Sequence, residues 1–148
     1  MLGHSLVYLI IAGLAGLTMA VQGSLNSILG KKLGIVEASF IVHLTATLIL
    51  IVVLVLNIKK GNITVWRQVP WYFYLGGLFG VIISFTVIVS IPKLGVAVAT
   101  TAIITAQVST AAVIDHFGVF GLERLPFTWI KFIGIIFLGI GVRLLLAK

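Results

Sequence analysis

Residues 35–60 read IVEASFIVHLTATLILIVVLVLNIKK, an apolar run that ends in two lysines. The block from Leu48 to Leu56 contains no polar side chain, and a helix of about 20 residues crosses a bilayer. Four similar runs lie along the chain, separated by charges, prolines and glycines. The sequence therefore predicts an all-α integral membrane protein with five transmembrane helices in one domain, 1–148. The predicted helices cover about residues 5–29, 35–57, 70–90, 96–116 and 128–146.

The composition excludes other protein classes. Of 148 residues, 61% are apolar and 9% are charged, whereas a soluble domain has about 45–50% apolar and about 25% charged residues. Disorder is excluded because it requires low hydrophobicity. The net charge is +7, but the basic residues flank apolar runs, which indicates a bilayer and not a nucleic acid as the partner.

No pattern in the chain indicates catalysis or a bound cofactor. Cysteine is absent, the three histidines are scattered, and no hydrolase, nucleotide-binding or metalloprotease motif occurs. We expect no metal, no cofactor and no enzymatic activity. The five segments also show no evident internal repeat.

Basic residues divide evenly between the two sides of the membrane. Five spans place the termini on opposite sides, and the positive-inside rule then gives no preferred orientation. Chance in a small count is one interpretation. The other is insertion in both orientations, giving an antiparallel homodimer with ten helices related as an inverted repeat. The residues counted are Lys59, Lys60, Arg67, Arg124 and Lys131 on the N-terminal side, and Lys31, Lys32, Lys93, Arg143 and Lys148 on the other.

Polar residues within spans are costly and often functional. Thr18, Gln22 and Asn26 follow at four-residue steps on one face of the first helix. Their amides could bind a polar solute or bond to another helix. In the fourth helix Thr101, Thr105 and Ser109 can bond to the preceding turn, whereas Gln107 cannot do so as simply. The predicted substrate-binding residues are Gln22, Asn26, Gln107, Thr100 and Ser84, the last extending the small-residue face of Gly76 and Gly80.

Three titratable residues have open interpretations. Glu37 begins the second helix as a surface acid or as a proton-coupling group, and His43 is a packing residue or a proton relay. Asp115, at the end of the fourth helix, requires a cation, and Arg124 or Lys131 could form a loop ion pair with it.

Several short motifs occur together with Gln22 and Asn26. They are Trp71-Tyr72-x-Tyr74-Leu75-Gly76-Gly77-x-x-Gly80, Pro92-Lys93-Leu94-Gly95, Gln107, Asp115-His116-Phe117-Gly118 and Gly121-Leu122-Glu123-Arg124-Leu125-Pro126. The combination resembles the YdcZ-like family, a five-helix branch of the drug/metabolite transporter (DMT, EamA-like) superfamily. The resemblance implies a bacterial inner-membrane protein with a transport role that associates with itself or with similar chains.

The resemblance does not supply a site. The membrane glutamate that serves related small multidrug transporters lies in their first helix, where this chain has Gln22 and Asn26 and no acid. The sequence predicts a small-solute transporter that works by alternating access as a dual-topology dimer. The alternatives are a passive channel and a non-transporting membrane partner subunit.

Overall fold

The computed structural model describes residues 2–56 and 61–147, with side chains described from residue 6 onward. Within these residues the protein is helical without strands, and five helices are long and apolar enough to cross a membrane, which confirms the prediction of five spans. The end of the second predicted helix at residue 57, and Lys59, Lys60 and Lys148, lie outside the described residues. The helices are α1 (Leu2–Leu33), α2 (Ile35–Val55), α3 (Gly76–Leu94), α4 (Val96–Phe117) and α5 (Trp129–Leu146).

The helices belong to two compact units, Met1–Ser90 and Ile91–Lys148. In the first unit α1 packs on α2, and in the second α4 packs on α5. Most large apolar side chains are exposed, which suits a protein whose solvent is lipid. The most deeply buried apolar residues are small: Ala38 is 0% exposed and Ala99 is 1% exposed.

A single glycine joins α1 to α2. Gly34 has φ +105° and ψ 158°, a backbone region that only glycine adopts without strain. Its N–H donates to the Gly30 carbonyl at 3.0 Å and its carbonyl accepts from Ala38 at 3.1 Å. The chain therefore changes direction at Gly34 while its hydrogen bonding continues.

The junction between α3 and α4 repeats this geometry. Gly95 has φ +83° and ψ 159°, and its N–H and carbonyl bond to Ile91 at 2.9 Å and Ala99 at 3.1 Å. Both glycines end a Lys-Leu-Gly sequence, at 32–34 and at 93–95. We expected no internal repeat, but this three-residue Lys-Leu-Gly sequence occurs at both junctions.

Two helix ends differ from the sequence-based boundaries. We predicted that the first helix stops at about Leu29 and that a turn begins at Pro92, but α1 continues to Leu33 and α3 to Leu94. Proline is tolerated within α3 because it lies in the last turn, and membrane helices accommodate the hydrogen bond it removes. In both cases the helix ends where the next glycine takes a positive φ.

Short 3-10 segments precede α3, which begins at Gly76 and not at about residue 70 as predicted. Ile63–Gln68 is capped by the Asn62 side chain, which accepts from the Thr64 N–H at 3.1 Å, and Trp71–Leu75 leads directly into the helix. The Tyr74 hydroxyl donates to the Trp66 carbonyl and ties the two segments together.

Close packing of α3 onto α1 depends on a glycine. The Ile88 side chain, 4% exposed, occupies the space that a Cβ on Gly30 would need. A larger residue at position 30 would therefore collide with Ile88.

Candidate functional site

A groove of about 560 Å³ runs between α1 and α2. Polar groups reach it from both helices, Gln22 and Asn26 from α1 and Thr45 from α2, with Lys32 in the last turn of α1. The structure thus brings together two of the predicted substrate-binding residues. We call this cavity the α1/α2 groove. Its remaining lining residues are apolar: Leu25, Ile28, Leu29, Ile41, Val42, Ala46 and Ile49.

Asn26 is the least accessible polar group in the α1/α2 groove. It is 7% exposed, and its amide forms no side-chain hydrogen bond within the described residues. Hydroxyls on the same helix behave differently, since Thr18 donates to the Leu14 carbonyl and Ser24 to the Ala20 carbonyl, each at 2.8 Å. The Asn26 amide is therefore free to bond to something in the groove.

Gln22 lies one turn before Asn26 and is exposed in the groove. Thr45 donates its hydroxyl to the Ile41 carbonyl at 2.8 Å, so it can still accept a hydrogen bond. Lys32 adds a cation to this lining. The groove thus offers amide donors and acceptors, one hydroxyl acceptor and one ammonium group beside apolar surface.

A second cavity of about 240 Å³ lies between α2 and α3. His43 reaches it, with Nδ1 2.8 Å from the Ser39 carbonyl oxygen and Nε2 facing Gly80. Because Nδ1 contacts an acceptor it carries the hydrogen, and in the neutral ring Nε2 is then an acceptor. The Ser39 hydroxyl is buried and has no hydrogen-bond partner among the residues that the structure describes. We call this cavity the His43 chamber; it is also lined by Val36, Phe40, Val81 and Phe85.

Glu37 does not line the His43 chamber. It is exposed in the first turn of α2, and its carboxylate folds over Gly34. An acid in the first turn is favoured by the helix dipole. Its position agrees with the surface interpretation, while proton coupling stays a prediction.

The polar stripe of α4 is mostly satisfied within its own helix. Thr101, Thr105 and Ser109 donate to carbonyls one turn earlier at 2.8, 2.9 and 2.7 Å, as the sequence indicated. Gln107 is exposed on α4 and Thr100 is half-buried there, while Ser84 is half-buried on α3. The solute contacts predicted for these three residues stay predictions.

A third cavity of about 390 Å³ lies between α4 and α5 and contains opposite charges. Asp115 comes from the last turn of α4, and Lys131 from the first turn of α5. The small residues Ala111, Ala112 and Gly134 leave it open. We call it the α4/α5 pocket; Val108, Ile135 and Leu138 complete its lining.

The expected ion pair of Asp115 does not form within the described residues. Arg124 instead donates from Nε to the His116 carbonyl at 2.9 Å, and Lys131 from Nζ to the Pro126 carbonyl at 3.3 Å. Our expectation was wrong because backbone carbonyls, one at the end of α4 and one in the loop, bind the two cations. The α4/α5 pocket was not predicted from the sequence. Asp115 and Lys131, which lie on either side of the loop between α4 and α5, were the signal that could have indicated it.

The loop from 118 to 128 is fixed against the end of α4. Gly118 is left-handed, with φ +61°, and ends the helix. The Leu125 N–H donates to the Asp115 carbonyl at 2.8 Å, and the Phe127 N–H to His116 Nδ1 at 3.1 Å. Thr128 caps α5 by accepting from the Lys131 N–H at 3.4 Å. These bonds hold the pocket end of the α4–α5 hairpin.

Comparison with known proteins gives one match. Residues 7–144 match the family described as "Putative inner membrane exporter, YdcZ". No curated protein and no solved structure matches the chain. The match covers nearly the whole sequence and confirms the resemblance inferred from its motifs.

Proposed function

Since the chain belongs to the YdcZ family of inner membrane exporters, within the DMT-like group, we propose that it carries a small polar solute by alternating access. Five apolar helices and family membership make it a multi-pass inner membrane protein and a membrane transporter. An exporter family also suggests a non-enzymatic role. The proposal adds the solute path and the mechanism.

The Asn26 amide, which lines the groove and has no side-chain hydrogen bond among the described residues, carries the proposal. Asn26 is 7% exposed in a groove of about 560 Å³, and a polar group without a partner is costly within a membrane. A solute with hydrogen-bonding groups would offset that cost. Gln22, one turn away in the same groove, supplies a second amide. We propose Gln107, Thr100 and Ser84 as further contacts along the solute path.

Alternating access requires two related halves. We propose that an antiparallel homodimer supplies them, with ten helices forming an inverted repeat. The even division of lysine and arginine between the two sides supports insertion in both orientations. A passive channel and a non-transporting partner subunit are the competing functions.

We propose His43 and Glu37 as proton-coupling groups. His43 is half-buried, and its Nε2 is an acceptor in the neutral ring, so protonation there would place a charge beside Phe40 and Phe85. Protonation would add a positive charge to the His43 chamber, and we propose that this charge links proton binding to the transport cycle. Glu37 is accessible for proton exchange because it is exposed.

Flux in proteoliposomes tests the function. A thermal-shift screen of small solutes first selects the probe, and its labelled form is then followed with and without a proton gradient. Gradient-driven accumulation is expected. Equilibration that ignores the gradient would indicate a channel or a facilitative carrier, and absence of flux a partner subunit.

Asn26→Leu tests the site because leucine has a similar size but no hydrogen-bonding group. We expect flux to fall about tenfold or more while the melting temperature stays at or above that of wild type. Thr18→Val is the matched control, since Thr18 is already bonded within its helix. If the Asn26→Leu variant is stable and has wild-type flux, Asn26 is not part of the solute path. If its melting temperature falls, Asn26 instead forms a structural contact between helices. Gln107→Leu examines the α4 amide in the same way.

A further inference from the structure

The α4/α5 pocket holds opposite charges that are not joined to each other. Asp115 and Lys131 are both half-buried and both line the cavity of about 390 Å³. Lys131 donates to the Pro126 carbonyl, and the Asp115 carboxylate forms no hydrogen bond or ion pair within residues 2–56 and 61–147. A carboxylate and an ammonium group that share a cavity normally pair directly. Here the space between the helices is kept open.

The hairpin does not compensate either charge. Asp115 is at the C-terminal end of α4, where the helix dipole disfavours a carboxylate, and Lys131 is at the N-terminal end of α5, where it disfavours an ammonium group. The neighbouring helix of the hairpin has the opposite polarity at each place, so the two dipoles largely cancel. A ligand with complementary charges would stabilise both residues.

The loop keeps the charges separate. The Leu125 N–H donates to the Asp115 carbonyl, the Phe127 N–H donates to His116 Nδ1, and Arg124 donates to the His116 carbonyl. The Asp115 main chain is therefore fixed at the cavity that Asp115 lines. Gly134 and Ala112 contribute almost no side-chain volume there.

We propose that the α4/α5 pocket binds a zwitterion, with its ammonium on Asp115 and its anionic group on Lys131. Val108, Ile135 and Leu138 provide an apolar surface for the rest of the molecule. The required chemistry is a cation and an anion a few bonds apart beside an apolar body. A free α-amino acid and the headgroup of phosphatidylethanolamine both have it. The lining of this site shares no residue with that of the α1/α2 groove, and the proposal does not depend on transport through that groove.

Binding to the purified protein in nanodiscs tests this site, with L-leucine as the zwitterionic probe. Two analogues remove one charge each: 4-methylpentanoate lacks the ammonium group, and isopentylamine lacks the carboxylate. In phosphatidylglycerol nanodiscs we expect L-leucine to bind about tenfold or more tightly than either analogue. Asp115→Asn and Lys131→Gln should each remove that preference.

Filling the pocket gives a test that leaves the charges intact. A Cβ on Gly134 meets nothing within 4 Å, so the side chain of Gly134→Leu begins in open space and should fill part of the cavity. Gly141→Leu is the matched control, because position 141 is on the same helix and is equally open. Loss of L-leucine binding in Gly134→Leu alone supports the site.

A second arm separates the two sources of the zwitterion. If a headgroup is the occupant, nanodiscs containing phosphatidylethanolamine will raise the melting temperature of wild type but not that of Asp115→Asn or Gly134→Leu, and L-leucine will bind weakly. The proposal is overturned if neither zwitterion has an effect, or if the analogues bind as well as L-leucine. It is also overturned if single charge removals destabilise the protein and the exchange Asp115→Lys with Lys131→Asp restores it, because Asp115 and Lys131 then form a structural pair.

Discussion

The α1–α2 and α4–α5 hairpins each pack two helices around a cavity, but they differ in junction and in lining. One glycine joins α1 to α2, and two amides, one hydroxyl and one ammonium group form the polar part of their groove, which has no carboxylate. A hydrogen-bonded loop from 118 to 128 joins α4 to α5, and their pocket contains a carboxylate and an ammonium group.

The difference shows which polar groups mark a cavity. Several hydroxyls, such as those of Thr18 and Thr101, donate to the carbonyl one turn earlier in their own helix. The amide of Asn26 and the carboxylate of Asp115 make no such bond in the described part of the chain. Both of these side chains line a cavity that a ligand could reach.

The largest expected effect concerns the orientation of the two hairpins. The α1–α2 bend carries Lys31 and Lys32 and the α4–α5 end carries Arg124 and Lys131, so neither is the more basic. Because the chain lacks cysteine, Gly61→Cys can be labelled on whole cells by an impermeant thiol reagent. Dual insertion predicts that about half of the molecules react.

Ala147→Cys is the control for labelling, since five spans place residue 147 on the other side from residue 61. It should also react in about half of the molecules if the protein inserts both ways. Complete labelling at one position with none at the other would establish a single orientation and exclude the antiparallel dimer.

A loss of stability of intermediate size is expected when the glycine at a helix junction is replaced. Gly34→Ala should lower the free energy of unfolding by about 1–3 kcal/mol, because alanine does not adopt this backbone region without strain. Gly95→Ala should show the cost of backbone strain alone, because a Cβ at Gly95 meets nothing within 4 Å. A Cβ at Gly34 would in addition collide with the Glu37 carboxylate. Thermal or denaturant unfolding in detergent measures both.

Gly76→Ala is the matched control for the junction variants. Gly76 is helical, with φ −52°, and a Cβ there meets nothing within 4 Å. Its substitution should leave stability unchanged or slightly raised. Equal stability losses in all three variants would show that the positive φ angles are unimportant.

The smallest effect is expected in the His43 chamber. Ser39→Ala should change the free energy of unfolding by less than about 1 kcal/mol, and toward stabilisation, because the removed hydroxyl is buried and has no hydrogen-bond partner among the described residues. Ser24→Ala is the matched change at a hydroxyl bonded to its own helix, and it should destabilise by about 0.5–1.5 kcal/mol. A larger loss in Ser39→Ala than in Ser24→Ala would mean that Ser39 has a partner, such as bound water.

Much of the fold could be predicted from the sequence, and less of the candidate site. The five spans and the shared face of Gln22 and Asn26 followed from composition and helical spacing. The helix ends at Leu33 and Leu94 did not, because a glycine's φ depends on how the next helix packs. Gln107 could not be ranked against Asn26 either, since both are amides in apolar helices and differ only in burial.

The sequence by itself determined the solvent, the number of helices and the family, because hydropathy and short motifs are properties of neighbouring residues. Only the tertiary structure decided that Asn26 is buried beside α2 and that Asp115 and Lys131 share a pocket without pairing. Arg124 and Lys131 donate to the backbone carbonyls of His116 and Pro126, which compete with the Asp115 carboxylate for these two cations. The choice of partner depends on distances between residues far apart in the chain, and packing sets those distances.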